Sequence, residues 1–250
     1  DKKLVFLIGF PRSGTTLLDS ILRTHTKIKV LEEKPFILNL RHDYFRENNN
    51  DLSSLLHITQ KEKDKIRLKY YDEIIKSKED QNKIIVDKFP LSIIELGFIK
   101  CIFPNSRIIL SMRHPCDVVT SCFFSTFKIN DAMINFLKWE TTINFYNKVF
   151  DLFNFYQNEF DINLSIVKYE DIVYNFKESI NNVIDFLDLK YEKKLEQFYV
   201  TAKKRTKIST PSYDQVVKPL YVSSIGRWKN YSKYVDLDKH LYKWIKKYNY

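Results

Sequence analysis

The stretch Gly9-Phe10-Pro11-Arg12-Ser13-Gly14-Thr15-Thr16 limits the fold of this 250-residue chain more than any other part of it. It follows directly on the apolar run Leu4–Ile8, and a helical pattern from Thr15 to Thr24 comes next. Strand, tight turn and helix in that order make a βα unit whose helix starts beside the end of a buried parallel strand. The first backbone N–H groups of such a helix lack partners within it and favour an anion. Glycine lets the backbone approach a phosphate closely, while Arg12, Ser13, Thr15 and Thr16 add donors. The chain has only four glycines, so the presence of Gly9 and Gly14 in one turn carries information. The spacing is that of a Walker A loop, GxxxxGK[ST], except that Thr15 stands where lysine is required. A nucleoside triphosphatase would lose its main contact to the β/γ-phosphates by that change.

The same alternation continues along the chain. Further strands are expected at Ile84–Asp87, Arg107–Met112 and Leu164–Lys168, separated by helical patterns. Pro104 stops the helix from Ser92 to Phe103, and Pro115 suits the first turn of the next. Polar helical stretches fill the region from Lys34 to Ser77, a long helix covers Ala132 to Phe160, and a final one covers Leu237–Lys247. The segment from Thr201 to Tyr234 has no clear period. Short strands alternating with helices predict an α/β fold of three layers, a central parallel sheet with helices on both faces. With 44% hydrophobic residues and no evident linker, residues 1–250 read as a single domain.

No apolar run reaches the roughly 18 residues that cross a bilayer, and Leu4–Ile8 is too short for a signal-peptide core. The chain starts at Asp1 rather than methionine, which leaves room for an upstream segment. Cys101, Cys116 and Cys122 have neither metal-like nor paired spacing and read as free thiols of a reducing compartment. The expected location is therefore cytoplasmic. The net charge of +10 fits a funnel for a polyanionic ligand, and equally a set of solvated lysine-rich helix faces such as Lys61-Glu62-Lys63-Asp64-Lys65.

A second constellation, Arg113-His114-Pro115-Cys116-Asp117 with Ser121 further on, follows the strand Arg107–Met112. The carboxyl edge of an open parallel sheet is where ligands bind. Arg113 and Ser121 converge on one phosphate only if the helix turns back over the strand end.

Together these residues resemble the sulfotransferases that use 3′-phosphoadenosine-5′-phosphosulfate (PAPS), most closely the tyrosylprotein sulfotransferases and bacterial sulfotransferases with tetratricopeptide repeats. The resemblance runs through four blocks in the same order: the loop through Glu33, Val86–Ser121, the strand ending Val167-Lys168-Tyr169-Glu170-Asp171, and Ser212–Trp228. It implies a P-loop-like fold that moves a sulfuryl group from PAPS to an acceptor hydroxyl, releases 3′,5′-bisphosphate (PAP) and needs no metal. Arg12, Ser13, Gly14, Thr15 and Thr16 match the loop that grips the 5′-phosphosulfate. Arg113 and Ser121 match the pair on the 3′-phosphate, and Tyr169 matches a cofactor-contacting tyrosine. Ser212, Gln215, Val216 and Lys218 match a segment that closes over the cofactor, and Arg227 falls on a basic position there. The resemblance makes Glu33 the base, Lys88 the lysine on the leaving oxygen, and Arg12 and Ser212 further catalytic residues.

Elementary chemistry fits these roles. A hydroxyl needs a nearby base, which a carboxylate supplies, and charge on a leaving phosphate needs a cation. Without the resemblance, Glu32-Glu33 reads as an acidic helix start and Lys88 as a solvated strand end. The chain also departs from the tyrosylprotein enzymes. Lys34-Pro35-Phe36-Ile37-Leu38-Asn39 lacks the arginine that meets acidic peptides, Ser125 stands where a further cofactor arginine is expected, and the paired cysteines have no counterpart. The acceptor is left unidentified, with Phe36–Phe45 and Phe123–Phe127 suited either to its pocket or to the core. Nucleic acid is not an expected partner, and a homodimer is left open. The competing readings are a P-loop kinase or NTPase, with Asp87 near magnesium, and a polyanion-binding module.

Overall fold

The computed structural model describes residues 3–203 and 216–250. Five parallel strands form one sheet: β1 (Leu4–Gly9), β2 (Ile28–Glu32), β3 (Ile84–Lys88), β4 (Arg107–Met112) and β5 (Leu164–Lys168). Their spatial order is β2-β3-β1-β4-β5. β1 is central and buried at all six positions, which is why its sequence is apolar without alternation. Its side chains still alternate between faces. Leu4, Phe6 and Ile8 join one core, whereas Val5 and Leu7 join the other.

The first core packs against α2 (Phe36–Glu47), α3 (Gln60–Ile74), α4 (Leu96–Ile102), α5 (Pro115–Phe123), α6 (Trp139–Glu159) and the last helix. The second face carries α1 (Thr15–Leu22), α7 (Tyr169–Tyr174), α8 (Phe176–Phe186) and α9 (Phe198–Lys203). In α6 the buried positions Thr142, Ile143, Tyr146, Val149, Phe150 and Phe153 recur at helical spacing and form its inner stripe. The last helix, α10 (Leu237–Lys247), buries Leu237, Leu241 and Trp244 and turns its lysines outward. These findings agree with the three-layer α/β expectation.

β2 was not expected. It is a five-residue edge strand, Ile28-Lys29-Val30-Leu31-Glu32, with Ile28 and Val30 buried and the other positions half-buried. Partial burial gives it neither the solid apolar run of β1 nor a flanking glycine to mark it. It pairs with β3 in the register Leu31 with Asp87 and Glu32 with Lys88. The edge strand therefore carries Glu33 to the end of β3. With β3 on one side of β1 and β4 on the other, the loop after β1 lies at the switch point of the sheet.

Candidate active site

The loop between β1 and α1 is fixed from below by the sheet. Ser111 Oγ donates to the Ser13 carbonyl at 3.0 Å, and Ser13 N–H donates to the Phe10 carbonyl at 3.1 Å. A Cβ on Gly9 would lie 2.6 Å from the Ser111 carbonyl oxygen and 2.7 Å from Ser13 Oγ, so only glycine fits there. Gly14 caps α1 with a φ of 100°, and no side chain caps the helix. Arg12 also has a positive φ, 70°. Such a conformation is unfavourable for a residue with a Cβ and tends to gather at functional sites.

Arg12 Nε donates to Ser121 Oγ at 3.0 Å, so α5 does turn back over the strand end. Arg12, Arg113, Thr120, Ser121, Ser125 and Arg227 line one recess of about 160 Å³. Burial, reinforced by the neighbouring Arg113 and Arg227 cations, lowers the Arg12 pKa from its ordinary value. Arg113 Nη2 donates to the Ser224 carbonyl at 2.5 Å, and its guanidinium lies 5.2 Å from the Tyr169 ring centre. Tyr169 Oη and Ser224 Oγ are 2.6 Å apart. Among the described residues Ser13 Oγ, Thr120 Oγ1 and Arg113 Nε are buried without a hydrogen-bond partner. Buried polar groups left this way are costly unless a ligand or water meets them, and Thr120 and Arg113 line the same recess as Arg12 and Arg227.

On the other side of the loop, Lys88 Nζ sits 2.6 Å from Glu33 Oε1, 3.7 Å from Asp19 Oδ2 and 4.0 Å from Glu32 Oε1. Lys88 and Asp19 are fully buried, whereas Glu33 is a third exposed. Glu33 N–H donates to the Lys88 carbonyl at 2.8 Å, one residue beyond the β2–β3 pairing, and Glu33 takes a φ of 47°. Lys88 is thus no solvated strand end. Glu33 opens onto a larger cleft of about 710 Å³ whose wall also includes Arg12, Thr15 and Thr16. Of the aromatic and apolar stretches singled out in the sequence, Ile37, Leu38 and Phe127 reach this cleft, while Tyr44 and Phe45 pack in the core.

A third hollow, over the start of α1, is lined by Arg12, Gly14, Thr15, Thr16, Arg113, Tyr169 and Val216. Of the residues expected at the site, Arg12, Gly14, Thr15, Thr16, Arg113, Ser121, Tyr169, Val216 and Arg227 line these three hollows, and Ser13 lies in the loop between. Lys218 is exposed and lines none of them. Ser212 and Gln215 lie outside the described residues.

Sequence reading missed several members of the site. Asp19 anchors Lys88 and also accepts from Arg23 Nε at 2.9 Å. Its signal is a carboxylate inside the apolar stretch Leu17-Leu18-Asp19-Ser20-Ile21-Leu22. Asp117 accepts from the backbone N–H groups of Gly226 at 2.7 Å and Trp228 at 3.1 Å, which ties the C-terminal segment to α5. Tyr221 and Ser224 lie in a stretch without periodicity that gives no signal. His114 is accounted for by structure: its ring accepts from Cys116 N–H and stacks on Trp228 at 5.4 Å. Asp87 is held by Tyr70 Oη at 2.8 Å, and burial pushes its carboxyl up to about 7. A carboxyl so disposed to stay protonated is a poor candidate for the magnesium contact of the kinase reading.

Comparison with known proteins places this geometry. Residues 5–193 match the model of the sulfotransferase family. The protein-tyrosine sulfotransferase A of Caenorhabditis elegans is 25% identical over 236 residues, which cover 90% of this chain and 60% of that protein. The sulfotransferase domain from the curacin biosynthetic pathway superposes with a TM-score of 0.69 at 17% identity, covering 98% of this chain and 97% of that one. A mouse sulfotransferase complexed with PAP gives a TM-score of 0.51 at 14% identity, covering 96% and 85%. The chain spans between 31% and 62% of the length of three curated relatives that it matches. These relatives overturn the expected cytoplasmic location, because protein-tyrosine sulfotransferases are Golgi membrane enzymes. Free, unpaired thiols were too weak a ground for that placement. Among the described residues no helix is long and apolar enough to cross a membrane. A family match across most of the chain and a shared fold around one phosphate-type loop lead to one conclusion: the chain belongs to the sulfotransferase family.

Proposed function

We propose that this chain transfers a sulfuryl group from PAPS to an acceptor hydroxyl by in-line displacement. The observation that carries this reading is the position of Arg12. Its side chain borders the cleft of Glu33 and the recess of Arg113 and Ser121 alike, so one guanidinium separates an acceptor side from a nucleotide side. Buried Ser13, Thr120 and Arg113 donors without protein partners suit a ligand that carries phosphate on two positions. PAP in the mouse relative's complex supports the same donor.

In this reading PAPS supplies the sulfuryl group, and the residues of the chain do the rest. The loop N–H groups with Thr15 and Thr16 hold the 5′-phosphosulfate, while Arg113 and Ser121 hold the 3′-phosphate. Tyr169 backs the nucleotide from α7, and Val216 and Arg227 close the C-terminal side. Glu33 takes the acceptor proton as the acceptor oxygen bonds to sulfur. The bond from sulfur to the bridging oxygen breaks, and PAP leaves with the electron pair. Neutralising Glu33 loosens its hold on Lys88, whose ammonium then meets the charge growing on the bridging oxygen. Positioning and electrostatics carry the catalysis, as in phosphoryl transfer.

The test is thermal stabilisation by PAP against AMP, ADP and ATP with magnesium, in the wild type and in Arg113→Ala. A ligand that binds only the native state raises the melting temperature by mass action. The expected result is a shift specific to the 3′-phosphorylated nucleotide and lost in the variant. A shift for ATP with magnesium and none for PAP overturns the reading in favour of a nucleotide kinase.

A further inference from the structure

The acceptor cleft has a composition of its own. Ile37, Leu38, Phe89, Leu91, Ile94 and Phe127 give its wall large apolar surfaces, and its volume of about 710 Å³ falls in the range of small-molecule sites. Its acidic side chains are Glu33, Asp87, Glu95 and Asp131, and three of them have a partner. Glu33 is paired with Lys88, Glu95 is paired with Arg41 at 2.7 Å, and Asp87 is bonded by Tyr70. Apart from Arg12, the basic side chains among the described lining residues are Lys34 and Lys128, and both are exposed to solvent.

A peptide rich in aspartate and glutamate would meet this wall badly. Its carboxylates would face Glu33 and Glu95, and its backbone amides would be buried against aliphatic carbons without partners. Exposed lysines screened by water return little of that cost. An uncharged molecule with an apolar body and one hydroxyl buries little polar surface on entry and gains from every apolar surface it covers.

The surface beside the cleft points the same way. The segment that supplies Phe127 and Met133 to the wall leaves Ile129, Ile134 and Leu137 exposed at 54%, 54% and 61%. Leu38, on α2 across the cleft, is 40% exposed. Exposed large apolar side chains on the segment that lines a cleft fit a site for an apolar ligand or partner.

We infer that the acceptor is an uncharged alcohol or phenol with an apolar body, seated against Leu38, Ile94 and Phe127 with its hydroxyl at Glu33, and not an acidic tyrosyl peptide. The inference rests on the sulfuryl-transfer reading given above.

Transfer from labelled PAPS to 2-naphthol, to 1-decanol and to a peptide with one tyrosine flanked by aspartate and glutamate tests it, with PAP stabilisation measured in the same samples. At least one apolar probe is expected to exceed the peptide in kcat/KM by about tenfold or more. Leu38→Asp lies at a half-open position that tolerates charge in folding. It is expected to raise KM for the apolar probe by about tenfold with kcat and PAP stabilisation nearly unchanged, while Leu38→Met keeps the wild-type KM. Preference for the peptide, transfer to neither apolar probe with PAP stabilisation intact, or an unchanged KM in Leu38→Asp overturns the inference alone. Absence of any stabilisation by PAP removes the donor reading beneath it, and the inference falls with that reading.

Discussion

Lys88 Nζ lies 2.6 Å from Glu33 Oε1, and the lysine has no solvent exposure at all. A cation this deep persists because Asp19 Oδ2, 3.7 Å away and equally buried, shares its charge. The two members of the pair should therefore fail differently. Lys88→Met leaves Asp19 with Arg23 alone, so a loss of about 3 kcal/mol in stability is expected together with a fall in kcat of about 10²–10³-fold. Glu33→Gln sits at a third-exposed position and is expected to lower kcat by about 10²–10⁴-fold while the melting temperature and PAP binding stay close to wild type. Melting curves and steady-state sulfuryl transfer on both variants make the comparison. Equal destabilisation of the two would mean that the pair is a structural bridge without a catalytic division of labour.

The two glycines of the loop make unequal demands. A Cβ at position 9 meets the Ser111 carbonyl oxygen at 2.6 Å, and that carbonyl belongs to the rigid strand β4. At position 14 the nearest atom is Tyr169 Cδ2 at 3.2 Å, on a side chain that can shift, although the φ of 100° is itself unfavourable for alanine. Gly14→Ala is expected to cost about 1–2 kcal/mol and to weaken nucleotide binding by moving Tyr169. Gly9→Ala is expected to cost about 3 kcal/mol or more, because backbone must move. Denaturant titration ranks the two, and a smaller loss for Gly9→Ala would contradict the packing.

The central strands and the phosphate-type loop were legible because full burial writes itself as a continuous apolar run and because a helix start with two glycines admits few alternatives. β2 was not, since half-burial at a sheet edge leaves only Ile28 and Val30 as a pattern. That miss hid why Glu33 is near Lys88 at all: the two are neighbours through the β2–β3 register, 55 residues apart in sequence. Buried carboxylates were harder still. Asp19 shows only as a carboxylate inside an apolar helix stretch, and Asp117 looks like an ordinary acidic residue of a helix start, until the fold brings Lys88 to the first and the Gly226 and Trp228 amides to the second. Periodicity reports which residues face inward, and it is silent on which polar groups meet there.

Asp117 makes the strongest tie between α5 and the C-terminal segment. Its two oxygens accept separately from Gly226 and Trp228, and one lies 3.9 Å from Arg113 Nη2. Removing both acceptors in Asp117→Ala leaves two half-buried backbone donors unsatisfied, for an expected loss of about 2–4 kcal/mol. Ser224, which contacts both Arg113 and Tyr169, belongs to the same segment, so PAP affinity should fall as well. Asp117→Asn retains one carbonyl acceptor and should lie between. Chemical denaturation and calorimetric PAP titration give both readouts, and unchanged PAP affinity in Asp117→Ala would free the nucleotide site from dependence on this tie.

Asp87 gives the fold a dependence on pH. Burial raises its carboxyl from an ordinary 3.8 to about 7, against the opposing hydrogen bond from Tyr70. A folded state with the higher pKa binds more protons than the unfolded chain between those values. The contribution to stability is therefore complete below about pH 4, is lost as pH rises through 7, and stays lost above it. Asp87→Asn cannot titrate. The stability of this variant relative to wild type is expected to climb by up to about 4 kcal/mol between pH 4 and pH 8, three pKa units at 1.36 kcal/mol each. Tyr70→Phe removes the bond that favours the carboxylate, so its loss of stability should extend to higher pH than in wild type. Denaturant titrations at several pH values test both variants. Parallel curves for wild type and Asp87→Asn would show that water or a nearby cation stabilises the carboxylate in the folded protein.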